Sequence, residues 1–294
     1  GSRCITRYIR ITITSMVPRC LPPLLLLMHI APALHAQEHA SYTLLTWNIR
    51  YDNPADSLDR WDNRKQALAE EVERHRPAII GLQEALVQQV AYLDAEWPGY
   101  LRFGVGREDG KEKGEFSPVY LDSTVFALVE GRTHWLSPTP DVPGKGWDAA
   151  CERIATLVIL RDKTTGDSLW LINTHWDHVG VDARNFSAFM MKGLMNEPLS
   201  RGKPVIVMGD LNAEPGSQAI DIMAQWFVDS CPDERKSEAT FNGFKPDGSQ
   251  LKRIDYVWLG GVPWKVTDYE VPKPLVNGRQ VSDHFPVVAR IDRP

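Results

Sequence analysis

The sequence has few cysteines, no excess of basic residues and no low-complexity segment. Its 294 residues include 4 cysteines and no Cys-x-x-Cys pair, which excludes zinc ribbons and thioredoxin-type redox motifs. Acidic residues outnumber basic ones by 38 to 33, for a net charge of -5, which argues against tight, purely electrostatic binding of nucleic acid. With 43% hydrophobic and 24% charged residues, the composition is that of a globular protein rather than a disordered, collagenous or coiled-coil chain.

The first 36 residues differ in composition from the rest. They carry four arginines and no acidic residue, followed by an apolar run at 21–30 and a small-residue segment ending at Ala36. This order is typical of a secretory signal peptide, and the run is too short for a bilayer span of about 20 apolar residues. We therefore expect residues 1–36 to direct export to the periplasm or the medium, with a membrane anchor as the alternative, and residues 37–294 to form one domain.

Removing that segment changes both charge and cysteine content. The chain would lose four of its 33 basic residues and none of its 38 acidic ones, so its net charge would fall to about -9 by the same counting. Only Cys151 and Cys231 would remain. They can form one disulfide in an oxidising compartment or stay as two buried thiols.

The remaining sequence predicts a mixed α/β class with many strands and few helices. Helix-period segments run from Trp61 to His75 and from Asp182 to Leu199, the second with Phe186, Phe189, Met190 and Leu194 on its apolar face. Runs rich in Val, Ile, Leu and Thr predict eight strands: Thr43–Ile49, Ala78–Leu82, Pro118–Leu121, Ile154–Leu160, Leu169–Asn173, Pro204–Met208, Ile254–Leu259 and His284–Ile291.

Polar residues cluster at the ends or starts of six of these strands. One such Asp or Asn more often closes a turn or caps a helix, but six in one chain indicate a functional edge. Oxygen ligands without cysteine suit Mg²⁺, Mn²⁺ or Ca²⁺, and His beside Asp is typical of a general base with its orienting carboxylate. The six motifs are Thr46-Trp-Asn48, Gly81-Leu-Gln-Glu84, Asn173-Thr-His175, Gly209-Asp-Leu-Asn212, Ile254-Asp-Tyr256 and Ser282-Asp-His284.

In this order, the motifs resemble those of the endonuclease/exonuclease/phosphatase superfamily, from about Tyr42 to Val288. The resemblance implies a four-layered sandwich, in which two packed β-sheets are flanked by helices on both outer faces. It also implies hydrolysis of a phosphoester by a metal-activated water.

The resemblance assigns metal ligands and catalytic groups by position. Glu84 would be the principal ligand of a divalent metal, with Asn48 beside it and Asp283 near the same ion. Asp210 and Asn212 would orient the water and hold phosphoryl oxygens. His284, paired with Asp255, would be the general base or stabilise the transition state.

The leaving-group side of the site is assigned in the same way. His175 would protonate the leaving oxygen or neutralise charge on the phosphate, and Glu115 resembles the acid that orients this histidine in the deoxyribonuclease branch. Arg153 matches a phosphate-contacting arginine of that branch. Beyond the motifs, Asp177 and His178 fit a structural role or a substrate contact equally well.

Two loops are also candidates for the mouth of the site. The glycine-rich, charged segment 104–115 would suit a mobile loop whose Arg107, Lys111 or Lys113 meets a phosphate, or a solvated surface loop. In the segment Thr240–Phe244, an aromatic ring could stack on a base or sugar, or simply pack.

We therefore expect a magnesium- or manganese-dependent phosphoesterase, with Ca²⁺ as a further possible ion, acting as a monomer on a small phosphorylated molecule such as a sugar, inositol or nucleotide phosphate. A secreted nuclease is the main alternative, and net charge does not favour it. A non-catalytic binding protein on the same scaffold would have lost a central group, yet all are present. We expect no stable insertion into a membrane.

Overall fold

Two six-stranded sheets dominate the computed structural model, which describes Gly1, residues 40–245 and residues 247–293. Glu38–Pro294 form one compact unit. The predicted export segment lies outside the described residues apart from Gly1. Within the described residues, no helix is long and apolar enough to cross a bilayer.

The strands and helices alternate irregularly along the chain. The strands are β1 (Ser41–Asn48), β2 (Ile79–Gln83), β3 (Tyr100–Phe103), β4 (Val119–Asp122), β5 (Phe126–Trp135), β6 (Ile154–Asp162), β7 (Ser168–His175), β8 (Val205–Asp210), β9 (Val228–Asp229), β10 (Asp255–Gly260), β11 (Lys265–Glu270), β12 (Leu275–Val276), β13 (Arg279–Gln280) and β14 (Val287–Asp292). The α-helices are α1 (Lys65–His75), α2 (Val87–Glu96), α3 (Val181–Leu194), α4 (Asn196–Ser200) and α5 (Gln218–Met223), and short 3₁₀ turns cover Pro54–Asp59, Trp61–Asn63 and Asp233–Arg235.

The strands of the first sheet come from chain segments both before and after the segment that forms the second sheet. Its order is β11-β14-β1-β2-β4-β3, and the second sheet has the order β5-β6-β7-β8-β10-β9. One neighbouring pair in each sheet is parallel, β1 with β2 and β7 with β8, and the other pairs with a defined register are antiparallel. The chain therefore builds part of the first sheet, the whole second sheet, and then the rest of the first.

Alternate side chains of the central strands belong to different cores, as the two-residue period of a strand requires. Leu44 of β1 and Ile79 of β2 lie in the core between the sheets, whereas their neighbours Leu45 and Ile80 lie in a second core with side chains of α1 and α2. On β8, Ile206 faces the first sheet, and the adjacent Val207 lies in a third core with side chains of α3 and α5. Three cores separate four layers, which confirms the predicted four-layered sandwich.

The eight predicted strands all exist, with ends shifted by a few residues. The largest shift is in the last one, because β14 begins at Val287 rather than at His284. The sequence patterns did not predict the exposed β3, the long β5, β11, α2 or α5.

Met190 and Leu194 of the apolar face predicted for the segment 182–199 pack against the third core as expected, but its two phenylalanines do not. Phe186 and Phe189 are 43% and 48% exposed, and α3 instead buries Ala183, Ser187, Ala188 and Met191. Small residues let this helix lie close to the sheet. The two rings pack against tryptophans, with centroid distances of 4.7 Å between Phe186 and Trp147 and 6.2 Å between Phe189 and Trp226.

Candidate active site

The two parallel strand pairs bring the predicted site residues to one edge of the sandwich. Asn48 ends β1 opposite Gln83, which ends β2 and is followed by Glu84. In the second sheet, His175 at the end of β7 lies opposite Asp210 at the end of β8, and Asp255 begins the antiparallel β10 opposite the same aspartate. Each sheet therefore supplies part of the site.

Asn48 and Glu84 join the two parts through hydrogen bonds. The Asn48 amide nitrogen donates to Glu84 Oε1 at 3.0 Å and to Asp210 Oδ2 at 2.9 Å. Glu84 Oε2 accepts the backbone N–H of Tyr51 at 3.2 Å. Glu84 itself has φ of 64°, an uncommon backbone conformation for a side chain other than glycine, at the turn that carries this carboxylate into the site.

Asp283 adds a second carboxylate near Glu84. Its Oδ2 lies 3.8 Å from Arg50 Nη1. Burial raises the pKa of Asp283 to about 6, with His284 and Arg50 opposing the shift and repulsion from Glu84 adding to it. A buried and a half-buried carboxylate that repel each other beside an amide form the oxygen-rich donor set that hard divalent cations prefer, so Asn48, Glu84 and Asp283 fit the metal predicted for them.

A second group of possible metal ligands lies beside the first. Ligand atoms of Asp210, Asp255 and His284 lie within 4.8 Å of one another, although the His284 ring is already engaged by both carboxylates. Cys151, Asp177 and His178 form a similar group. The Arg153 guanidinium contacts two members of that group: it donates to Asp177 Oδ2 at 3.3 Å and lies 2.8 Å from His178 Nδ1.

His284 is held in a charged environment. Its Nδ1 lies 2.9 Å from Asp255 Oδ2 and its Nε2 3.7 Å from Asp210 Oδ2. Burial disfavours the charged ring, yet Asp255 and Asp210 outweigh that effect and raise the pKa of His284 to about 10. Phe241 packs edge-on against the ring with centroids 4.8 Å apart. The free site therefore holds His284 as an imidazolium at neutral pH.

His175 has the opposite environment. Burial, followed by the positive charges of Arg153 and Arg107, holds its pKa well below the ordinary value of 6.5. Its Nε2 lies 3.1 Å from the Asn212 amide nitrogen and 3.4 Å from Asp210 Oδ2. The free site therefore contains one neutral and one charged imidazole, separated by an aspartate that both approach.

Asp210 and Asn212 are joined through the tight turn after β8. Asp210 Oδ1 accepts the backbone N–H of Asn212 at 2.9 Å, and the Asn212 amide also donates to the Trp176 carbonyl at 3.0 Å. Burial raises the pKa of Asp210 to about 7, with His284 opposing the shift and Asp255 adding to it. A carboxylate with this pKa is suited to exchanging a proton near neutral pH.

Glu115 does not make the direct hydrogen bond to His175 that its expected orienting role requires. Its Oε2 lies 3.9 Å from His175 Nδ1, beyond hydrogen-bond distance, and accepts from Arg107 Nη1 at 2.6 Å. Arg153 Nη1 contacts the His175 ring instead, at 3.0–3.1 Å from its nitrogens. Burial and then repulsion from Glu84 raise the pKa of Glu115 to about 7, against the attraction of Arg107.

These groups surround a pocket of about 780 Å³. Of the ten predicted site residues, Asn48 and Asp255 are fully buried behind the lining and the other eight line the pocket. The lining also contains Arg107, His178 and Phe241, which the sequence offered as candidates outside the motifs, and Arg50 and Arg184, which it did not single out. Arg50 lies two residues after the first motif, but nothing in the sequence shows that Arg184, on α3, reaches the pocket.

Asn173 and Gln83 belong to two of the motifs but lie away from the pocket. The Gln83 amide donates to Asn173 Oδ1 at 2.7 Å, and the Asn173 amide donates to the carbonyls of Leu82 and Pro118. These fully buried bonds connect the two sheets. The two side chains therefore hold together the halves of the site.

Cys151 and Cys231, whose pairing the sequence left open, are free thiols. Cys231 is buried, and Cys151 is partly exposed at the pocket.

The chain is similar to proteins of one known family and to their solved structures. Residues 45–284 match the endonuclease/exonuclease/phosphatase family. A protein of that family from Bacteroides thetaiotaomicron has a similar solved structure, with 34% identity and a TM-score of 0.81 over 87% of this chain and 99% of the other. A mannosyl-6-phosphatase from the same species has 35% identity and a TM-score of 0.77 over 85% of this chain and 99% of its own.

A more distant similarity is to a subunit of a eukaryotic complex. The CCR4-Not complex 3'-5'-exoribonuclease subunit Ccr4 of Emericella nidulans is 21% identical, and the match covers 88% of this chain but 51% of that protein. The chain thus spans about half the length of this relative.

Proposed function

The chain belongs to the endonuclease/exonuclease/phosphatase family of phosphoester hydrolases, and from that premise we propose that it is a divalent-metal-dependent phosphomonoesterase acting on a small phosphorylated molecule. A sugar phosphate is the substrate class we favour. The observation that carries the proposal is the convergence of Arg107, Arg153 and the His284 imidazolium on one pocket. A phosphomonoester dianion concentrates two negative charges on one group, which this cationic wall suits.

The relatives support this choice of substrate class. The mannosyl-6-phosphatase is 35% identical and similar over 99% of its own chain. The export segment predicted at residues 1–36 remains part of the proposal, and it would place the enzyme where it meets extracellular phosphorylated compounds.

The chain's own residues can perform each part of an in-line hydrolysis. Asp210 accepts a proton from the attacking water, because burial holds its pKa near neutrality. The His284 imidazolium, fixed by Asp255, and the amide of Asn212 stabilise charge that develops on the phosphoryl oxygens.

On the opposite side, Arg153 and His175 receive the phosphate and the leaving oxygen. His175 is neutral in the free site, but a bound phosphate dianion would offset the two arginine charges that lower its pKa. The ring then takes up a proton from solvent and delivers it to the leaving oxygen. Before that step Arg153 holds the neutral ring in place, because only the neutral ring has a nitrogen that can accept the guanidinium N–H.

Asn48, Glu84 and Asp283 would hold the divalent cation, which when bound supplies Lewis-acid stabilisation of phosphoryl charge and a more acidic water. Mg²⁺ and Mn²⁺ are the ions we propose, because the donors are oxygens.

A secreted nuclease is the second candidate, and the match to the exoribonuclease subunit favours it. The two candidates differ in substrate. A panel of mannose 6-phosphate, inositol phosphates, nucleotides, plasmid DNA and RNA would separate them. We expect sugar phosphates to give the highest kcat/KM, and nicking of plasmid or degradation of RNA at nanomolar enzyme would contradict the proposal.

The first prediction concerns Glu84. Replacing it by glutamine removes a metal-binding charge but keeps the side-chain volume, so Glu84→Gln should lower kcat/KM at least about 100-fold with Mg²⁺ or Mn²⁺. Glu130→Gln, at an exposed position of β5, is the matched control and should retain wild-type activity. Equal activity of the two variants would contradict the assignment of Glu84.

A further inference from the structure

We infer that Arg107 is the residue that makes the pocket select a terminal phosphate over a phosphodiester. The inference rests on the proposed function and deepens it. Arg107 would bind, beside Arg153, the additional non-bridging oxygen that a monoester carries and a diester lacks.

The backbone around Arg107 is firmly fixed. Segment 104–115 is a hydrogen-bonded hairpin, with the Arg107 N–H donating to the Glu115 carbonyl at 3.1 Å and the Glu108 N–H to the Lys113 carbonyl at 3.1 Å. The indole of Trp135 donates to the Arg107 carbonyl at 2.6 Å. The base of the arginine is therefore held before any substrate arrives.

The Arg107 guanidinium retains donor capacity within the pocket. Its Nη1 donates to Glu115 at 2.6 Å, and the side chain is 14% exposed and lines the pocket. The Nε is buried and out of reach of a substrate, so the exposed part of the guanidinium is what can meet a ligand. A guanidinium has five N–H donors, and one held in place by a carboxylate can still receive a further acceptor, such as a phosphate oxygen.

Arg107 also lies near the other groups assigned to the phosphate. It lines the pocket with Arg153 and His175, and the charges of both arginines lower the pKa of that histidine. Lys111 and Lys113, the other basic residues of the hairpin, are exposed and do not line the pocket. Arg107 is thus the basic side chain of this hairpin that the fold directs to the site.

The two ester classes differ in what they offer to Arg107. A monoester has three non-bridging oxygens and up to two charges, so one oxygen can face Arg107 while the others meet Arg153 and the histidines. In a diester, one of these positions carries a second esterified group, which cannot accept a charge-assisted hydrogen bond of the same strength. Arg107 should therefore contribute to monoester hydrolysis much more than to diester hydrolysis.

The test compares p-nitrophenyl phosphate with bis-p-nitrophenyl phosphate, using the full chain in Mg²⁺ or Mn²⁺. Arg107→Gln should lower kcat/KM for the monoester about 30-fold or more and change kcat/KM for the diester less than about threefold. The inhibition constant of inorganic phosphate should rise by a similar factor. Lys111→Gln makes the same change of charge in the same hairpin and should leave all three quantities unchanged.

A third variant separates loss of binding from loss of folding. Arg107→Lys keeps the charge but loses the guanidinium fork, so it should fold as the wild type does and lie between wild type and Arg107→Gln in monoester activity. If Arg107→Gln lowers kcat/KM for the monoester and the diester by the same factor, the assignment of Arg107 is overturned. If the wild-type chain hydrolyses no phosphomonoester, the proposed function itself fails, and the inference with it.

Discussion

At the scale of single residues, the environment gives two identical side chains opposite charge states. His284 lies against Asp255 and Asp210, whereas His175 lies against Arg153. Both rings are almost fully buried, so burial alone cannot distinguish them. Their neighbours decide which ring carries a proton. In the proposed function, this difference separates a group that stabilises phosphoryl charge from one that can accept or deliver a proton.

Asp255 provides the residue-scale prediction. Asp255→Asn removes a carboxylate that raises the pKa of His284, so the imidazolium should lose its proton at a lower pH. We expect kcat/KM to fall about 100-fold and its alkaline limb to shift towards neutral pH. A pH profile of kcat/KM and the NMR titration of His284 measure both effects.

The control for this variant is Asp221→Asn, at an exposed position of α5. It should leave the pH profile unchanged. An alkaline limb that stays in place in Asp255→Asn would show that His284 does not govern it.

The order of the motifs could predict much of this site from the sequence. Polar residues at the ends of β1 and β2, and of β7 and β8, must meet within each pair because parallel neighbours end at the same edge of a sheet. The pairing of Glu115 with Arg107 and the position of Arg184 depend on the orientation of a hairpin and a helix. No local pattern encodes those orientations, so the sequence could not predict them.

At the scale of elements, a close approach of the sheets holds the two halves of the site in register. A Cβ atom added at Gly81 of β2 would lie 2.7 Å from both Asn173 Oδ1 and Met208 Cε of the other sheet. Asn173 cannot turn away without breaking its bonds to Gln83, Leu82 and Pro118. The absence of a side chain at Gly81 is therefore a condition of this packing.

Gly81 provides the element-scale prediction. Gly81→Ala should lower the free energy of unfolding by about 1–3 kcal/mol through overpacking, as measured by urea denaturation. It should also lower kcat, because Glu84 is three residues away. Gly99→Ala, where the added atom meets nothing within 4 Å, should change neither quantity appreciably.

Hydrophobic patterns predicted the buried strands but not the exposed ones. Residues of β2 and β8 are buried throughout, and such apolar runs are easy to recognise. In β3, β5 and β11, exposed and charged residues interrupt the runs, so neighbouring strands rather than local sequence determine their structure. The predicted face of α3 was wrong for its two phenylalanines, because the helix presents small residues to the sheet and the two rings pack against tryptophans outside the core.

At the scale of the whole molecule, two acidic side chains of the pocket are buried, and their ionisation lowers the stability of the folded state. Burial raises the pKa of Asp210 and Asp283 above the ordinary value of 3.8. The folded state therefore binds protons more tightly than the unfolded chain between roughly pH 4 and 7, and these two groups reduce stability as the pH rises through that range. A bound cation would favour the ionised carboxylates and reverse that effect.

This linkage provides the prediction for the whole molecule. Millimolar Mg²⁺ or Mn²⁺ should raise Tm by about 3–8 °C at pH 8 and much less at pH 5, where protons compete for Asp283. Differential scanning calorimetry with and without metal measures the difference. Glu84→Gln should lose most of the increase, and an equal increase at both pH values would contradict this account.

The interleaved order of the sheets also sets the time at which the protein can become active. A ribosome delivers β1 to β4 first and then all of the second sheet, but β14 must still insert between β1 and β11. Until residues 287–292 have emerged, one edge of β1 has no partner, and Asp283 and His284 have only just been made. The second sheet can assemble on the nascent chain, whereas the first sheet and the pocket are completed only once β14 has emerged. A partly synthesised chain therefore lacks a working site, and its exposed β1 edge is the segment most in need of a chaperone.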